Sequence, residues 1–218
     1  MKGDMVRYQK FEIEIRRVID RNYLRWPERG EAGAERNLGC NREYQDLRGF
    51  SWRDAERVAK FESQLISRLE AVTNAEEEYE EIIDELYEDD EGLFGLDIGV
   101  AAVVVGLSAA GCIPCTSCNA GAYGGTHHEQ YPLVAFFAKP THIALLLQCA
   151  EETCVGLEND ESGIIIVYAK DIRDMLAFAT ALAASKKQFR QAARTAADQR
   201  SETGPPPDPA NQLKLSLD

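Results

Sequence analysis

Long apolar runs are missing from this 218-residue chain. The longest, Ile98 to Ala110, falls short of the roughly 20 residues needed to cross a bilayer, and Gly111 and Cys112 follow it at once. No membrane partner is expected. Met1 to Arg7 also lacks the basic-then-apolar run of an export signal. Six cysteines without such a signal are expected to be free thiols in a reducing compartment, with the cytoplasm as the expected location. Positive charge is short as well: 24 Lys and Arg stand against 37 Asp and Glu, a net charge of −13. Such a surface repels phosphates, so direct nucleic-acid binding is not expected. The basic residues that exist concentrate in two stretches, Arg7 to Arg57 and Lys186 to Arg200.

The pattern along the chain predicts an α/β (α+β) protein: a small mixed sheet of three to four strands, containing a right-handed βαβ unit and covered by helices. Three regions are expected: an acidic helical region over 1–92, an α/β domain over 93–198, and a disordered tail over 199–218. Phe11, Ile15, Val18 and Ile19 fit one helix face, while Phe11, Ile13 and Ile15 alternate as in an edge strand. Residues 27–50 read as a long loop. Ser51, with Asp54 three residues on, caps a helix over 52–72 with an apolar stripe of Val58, Phe61, Leu65, Leu69 and Val72. A second helix over 75–89 spaces Tyr79, Ile82, Ile83, Leu86 and Tyr87 as a buried face. That stripe packs internally or against a second copy. Eleven of the sixteen residues from Glu76 to Glu91 are acidic, which reads as a solvated face, because no EF-hand loop accompanies them.

Asp97 is placed to cap an all-apolar helix, Ile98 to Ala110, closed by Gly111. Strands are expected at 112–118, 131–138 and 163–169. A helix opened by Pro140 joins the second of these to the third, as a right-handed parallel crossover. Asp171 caps a last helix running to about 195. The lone His142, early in its helix, is expected at the surface or in a capping role.

The one dense group of chemically capable residues is Cys112 to Glu129, CIPCTSCNAGAYGGTHHE. A zinc site would draw on Cys112, Cys115, Cys118 and His127, a Cys₃His set. Strand alternation argues against it, since it turns Cys115 to the face opposite Cys112 and Cys118. A catalytic thiol would use Cys118 as nucleophile, His127 or His128 as base and Asn119 or Glu129 to orient it. Gly121, Gly124 and Gly125 would let backbone N–H groups approach an oxyanion. The third reading needs no cofactor. In it the loop binds a small ligand or protein partner through Thr116, Ser117, Asn119, Gly121, Gly124 and Gly125. That interaction or regulatory role is preferred over a zinc- or thiol-dependent enzyme, because no complete catalytic signature is present.

After the Pro-rich stretch 203–210 comes Gln212-Leu213-Lys214-Leu215-Ser216-Leu217. It resembles the Gln-Leu-x-Leu-x-Leu peptide by which bacterial proteins dock on the DNA-polymerase sliding clamp. The resemblance implies partner contacts through Gln212, Leu213, Leu215 and Leu217 on a flexible tether. Those leucines also alternate as an edge strand of the protein's own sheet would.

Overall fold

The computed structural model describes residues 10–27, 47–88, 92–123 and 129–202. The helices are α1 (Trp52–Ala71), α2 (Ala75–Glu88), α3 (Ala101–Ala109), α4 (Ile143–Glu152), α5 (Ile172–Ala184) and α6 (Lys186–Glu202). The strands are β1 (Arg17–Val18), β2 (Ile113–Cys118), β3 (Leu133–Phe137), β4 (Gly156–Asn159) and β5 (Ile165–Tyr168). A short 3-10 turn, Pro140–His142, leads into α4.

Ser51 opens α1 with a capping box. Its hydroxyl accepts the Asp54 N–H at 3.2 Å, and the Asp54 carboxylate accepts the Ser51 N–H at 2.9 Å. The stripe residues Val58, Leu65 and Leu69 are buried as expected, but Glu62 lies among them, fully buried. Helix α3 is buried from Ala101 to Ser108 and packs between α1 and α5. Burying one Val or Leu side chain contributes about 1.5–3 kcal/mol, so this helix anchors the core. Gly111, at φ +83°, closes it: the N–H groups of Gly111 and Cys112 donate back to Ser108 and Leu107 at 2.8 and 3.0 Å. One continuous core cluster runs from Leu47 to Phe189, so α1 shares its core with the sheet across residue 92.

The architecture is the expected mixed α/β one, with five strands in place of three to four. Their order is β1-β4-β5-β3-β2. Three expectations change. First, the strand expected at 163–169 is β5, and it runs antiparallel to β3. The parallel partner is β4, reached from β3 through α4 and separated from β3 by β5, with which both pair antiparallel. β4 reads Gly-Leu-Glu-Asn, too short and too polar for its period to show. Second, residues 10–20 form no helix, and Arg17–Val18 adds a parallel edge beside β4 before a turn at 21–23. The alternation of Phe11, Ile13 and Ile15 outweighs the helical spacing there. The single last helix is also broken, at Ser185, into α5 and α6. Asp171 caps α5 as expected, accepting the N–H groups of Arg173 and Asp174 at 2.8 and 3.1 Å.

Val134, Phe136, Leu157, Ile165 and Val167 face the helices and belong to the main core. On the opposite face Phe137 lies under the Arg25 guanidinium at 4.8 Å. Tyr168 lies on that face too, accepting the Arg16 N–H and donating to Glu158. Gly156, opposite Tyr168 across the β4–β5 pair, leaves room for that ring; a Cβ there would fall inside it.

Candidate functional site

β2 carries the three cysteines of the 112–129 segment, and a register shift between Pro114 and Thr116 sets where they point. Before the shift, Ile113 stands opposite Phe137; after it, Thr116 stands opposite Ala135 and Cys118 opposite Leu133. Directly opposed residues share a face, so the bulge has moved the parity by one. Cys112 lies in the helix-side core. Cys118 is on the outer face with Leu133, and Cys115 sits at the bulge, where the Arg25 that covers Phe137 acts on its thiol. The alternation expected from an unbroken strand, which set Cys115 apart, is thereby corrected: the odd thiol is Cys112. Among the described residues no three His, Cys, Asp or Glu side chains gather where they could hold a metal ion. His127 lies outside the described residues, so only the three thiols of that set are placed.

Burial pushes the Cys112 and Cys115 thiols up to about 12, which keeps both protonated at neutral pH. Cys115 donates to the Ile113 carbonyl at 3.5 Å. The Cys118 Sγ accepts the Ala120 N–H at 3.3 Å. All five described cysteines are free thiols.

The chain turns sharply after Cys118. Asn119 is buried and holds the turn with both ends of its amide. Its Nδ2 donates to the Ile98 carbonyl at 2.9 Å, and its Oδ1 accepts the Gly121 N–H at 3.0 Å. Ala120 and Gly121 are both left-handed, at φ +57° and +69°, the first a costly conformation for a residue with a Cβ. Asn119 and the Gly121 N–H are therefore engaged within the turn. Thr116 is exposed and Ser117 half-buried. Tyr123 then stacks on Tyr79 of α2, ring centroids 6.0 Å apart. Gly124, Gly125, His127 and His128 lie outside the described residues, and Glu129 is exposed. Gln212, Leu213, Leu215 and Leu217 lie outside them too.

The helix that receives Tyr123 is the acidic one. Ala75 and Ile82 bury its inner side, and Glu76, Glu77, Glu80, Glu81, Asp84 and Glu85 are exposed. Arg68 of α1 pairs with Glu78 and, at 2.6 Å, with Glu85, which holds the Glu85 carboxyl below its ordinary range. The charge on this face otherwise points outward.

Two buried titratable groups lie away from this segment. Glu62 accepts the backbone N–H groups of Gly99, Ala101 and Ala102 at 2.8, 3.0 and 3.2 Å, and so caps α3 from a neighbouring helix. The N-cap residue of α3 is Val100 rather than Asp97, whose backbone carbonyl accepts the Val100 N–H at 3.3 Å. Burial pushes Glu62 up to about 7, against the pull of those N–H groups. His142 is buried, not at the surface, and caps nothing with its side chain. Both residues were visible as polar intruders in apolar stripes. Glu62 sits four residues from Val58 and Ile66, and His142 four from Leu146.

No protein-family model, no curated protein and no solved structure matches this chain.

Proposed function

We propose that this is a cytoplasmic interaction protein whose partner is a protein with a basic surface. The partner docks through the exposed face of α2 and the 116–129 segment. The observation that carries the reading is the Tyr79–Tyr123 stack, which ties the start of that segment to the helix bearing six exposed carboxylates. Outward-facing charge of one sign steers a complementary surface and raises its association rate. Burial keeps the Cys112 and Cys115 thiols protonated, which speaks against a nucleophilic role for those two residues.

The test is capture of a cellular partner on the full chain, followed by measurement of its affinity with purified components. Affinity should fall at least about tenfold in a Glu76→Lys, Glu80→Lys, Asp84→Lys variant, and it should weaken as salt rises. Tyr123→Ala should also weaken it. A partner that binds all forms equally well, at every salt concentration, removes the proposal.

The C-terminal peptide Gln212 to Leu217 is the second docking element of this proposal, on the strength of its sequence pattern alone. Retention on purified bacterial sliding clamp should be lost in a chain ending at Ala210, and equal retention of both forms removes it. A second reading, thiol chemistry at Cys118, is favoured by its place at the end of β2, where the Ala120 N–H donates to its sulfur. A Cys118 thiol titrating well below the ordinary range would favour that enzyme. Stoichiometric zinc that is lost in Cys118→Ser, in protein purified without a His tag, would favour a metal site instead.

A further inference from the structure

His142 lies where the 3-10 turn before α4 meets three other parts of the fold. Its ring meets Phe189 of α6 edge-on, centroids 5.6 Å apart, and Phe189 in turn lies against Trp52 of α1 at 5.8 Å. A Cβ on Gly111, just past the end of α3, would lie 3.7 Å from His142 Cε1. Only 1% of the residue is exposed, and neither ring nitrogen has a hydrogen-bond partner among the described residues. A neutral imidazole tolerates such a place at a cost; an imidazolium has two donors and a charge to satisfy there.

What that ring supports is the attachment of α6. Along the described side chains of this helix Phe189 is buried, while Lys187, Arg190 and Arg194 are exposed. Its packing partners are the 3-10 turn, the end of α5 and Trp52 of α1, with the Lys186–Glu56 ion pair beside them. Phe189, set between the His142 ring and Trp52 of α1, is the buried apolar residue among the described side chains of this helix.

We propose that His142 is an acid-operated latch for α6: protonation of its ring unseats Phe189 and releases the helix while the sheet and α3 remain folded. The surrounding charges favour release. Lys139 acts on the ring from its own turn and opposes the charged form, as burial does more strongly, and together they hold the imidazole below its ordinary range. Cys112, after α3, is a protonated thiol and offers no countercharge. On α6 the neighbouring charges are Lys186, Lys187 and Arg190, all cationic; on α1, Glu56 is engaged by Lys186, Asp54 by the Ser51 cap and Glu62 by the backbone N–H groups at the start of α3. A docked state that binds the proton more weakly than the released one loses ground as pH falls below about 6.5. Each pH unit below that value, down to the docked-state pKa, shifts the equilibrium about tenfold toward release.

Amide hydrogen exchange on the full chain, corrected for the intrinsic pH dependence of exchange, reads this directly. From pH 7.5 to 4.5 the amides of 189–195 should lose protection, steepening toward about tenfold per unit, while those of β3 keep theirs. His142→Phe should keep α6 protected across the range, and Phe189→Ala should leave it unprotected at every pH. Flat protection of α6 in the unmodified protein overturns the proposal, as does loss of α6 and β3 together. So does an unchanged pH course in His142→Phe. Should that variant not fold, the ring protons of His142 in the unmodified protein decide by NMR. Titration below the ordinary imidazole range in step with α6 release supports the latch, and titration at or above that range overturns it.

Discussion

The two ends of α3 solve the same problem in opposite ways. At its start a fully buried carboxyl, Glu62, lies against three backbone N–H groups that would otherwise be orphaned. Past its end a fully buried imidazole, His142, has aromatic and apolar neighbours and no hydrogen bond among the described residues. Each group is deprived of water. Only the first has its lost hydrogen bonds replaced, so the first should be indispensable and the second dispensable. Burial alone does not distinguish them; the count of partners does.

The largest effect that would break this contrast is at Glu62. Glu62→Ala leaves three donors and a cavity inside the core, and should lower stability by about 3–4 kcal/mol in urea unfolding. A loss under about 1 kcal/mol would mean that the cap is not needed. Next is Gly99, which lies at φ +102° and whose added Cβ would meet Ile172 Cγ2 at 2.5 Å, between α3 and α5. Gly99→Ala should cost about 2–3 kcal/mol by strain and crowding together. At the other end, His142→Phe replaces an unpartnered polar ring with an apolar one, and should raise stability by about 1 kcal/mol at pH 7. Gly111→Ala sharpens the comparison from the backbone side. Its φ of +83° is unfavourable, but its Cβ would meet His142 only at an ordinary contact distance. The expected loss is about 1 kcal/mol, less than at Gly99.

Much of this was legible in the residues. The capping box at Ser51, the buried α3 and its Gly111 ending, the strand at 131–138 and the cap at Asp171 all follow from local chemistry, and local chemistry is what sequence carries most directly. Other features depend on contacts far along the chain. β4 exists because β1 and β5 flank it, not because Gly-Leu-Glu-Asn prefers a strand. The insertion of β5 between β3 and β4 is a pairing choice that no period in the sequence encodes. In the candidate site the bulge at Cys115 reversed which thiol stands apart. Asn119, read as a ligand contact, spends its amide on Ile98 and Gly121. That Glu62 and His142 interrupt apolar stripes could be read off the sequence; whether each had partners could not.

Stability against pH tests the contrast most directly, because the two groups tilt it in opposite directions. Glu62, pushed up to about 7 from its ordinary 4.5, keeps its proton in the folded state. Its contribution is full below about pH 4.5 and is lost as pH rises toward 7. His142 is lowered from 6.5, so its contribution is full above that value and is lost as pH falls. Urea midpoints from pH 4 to 8 should therefore show opposing slopes once the groups are separated. Glu62→Gln should leave a protein that weakens more steeply in acid than the unmodified chain. His142→Phe should leave one that is most stable at low pH and weakens toward neutrality. Two variants that both reproduce the unmodified profile would contradict the account.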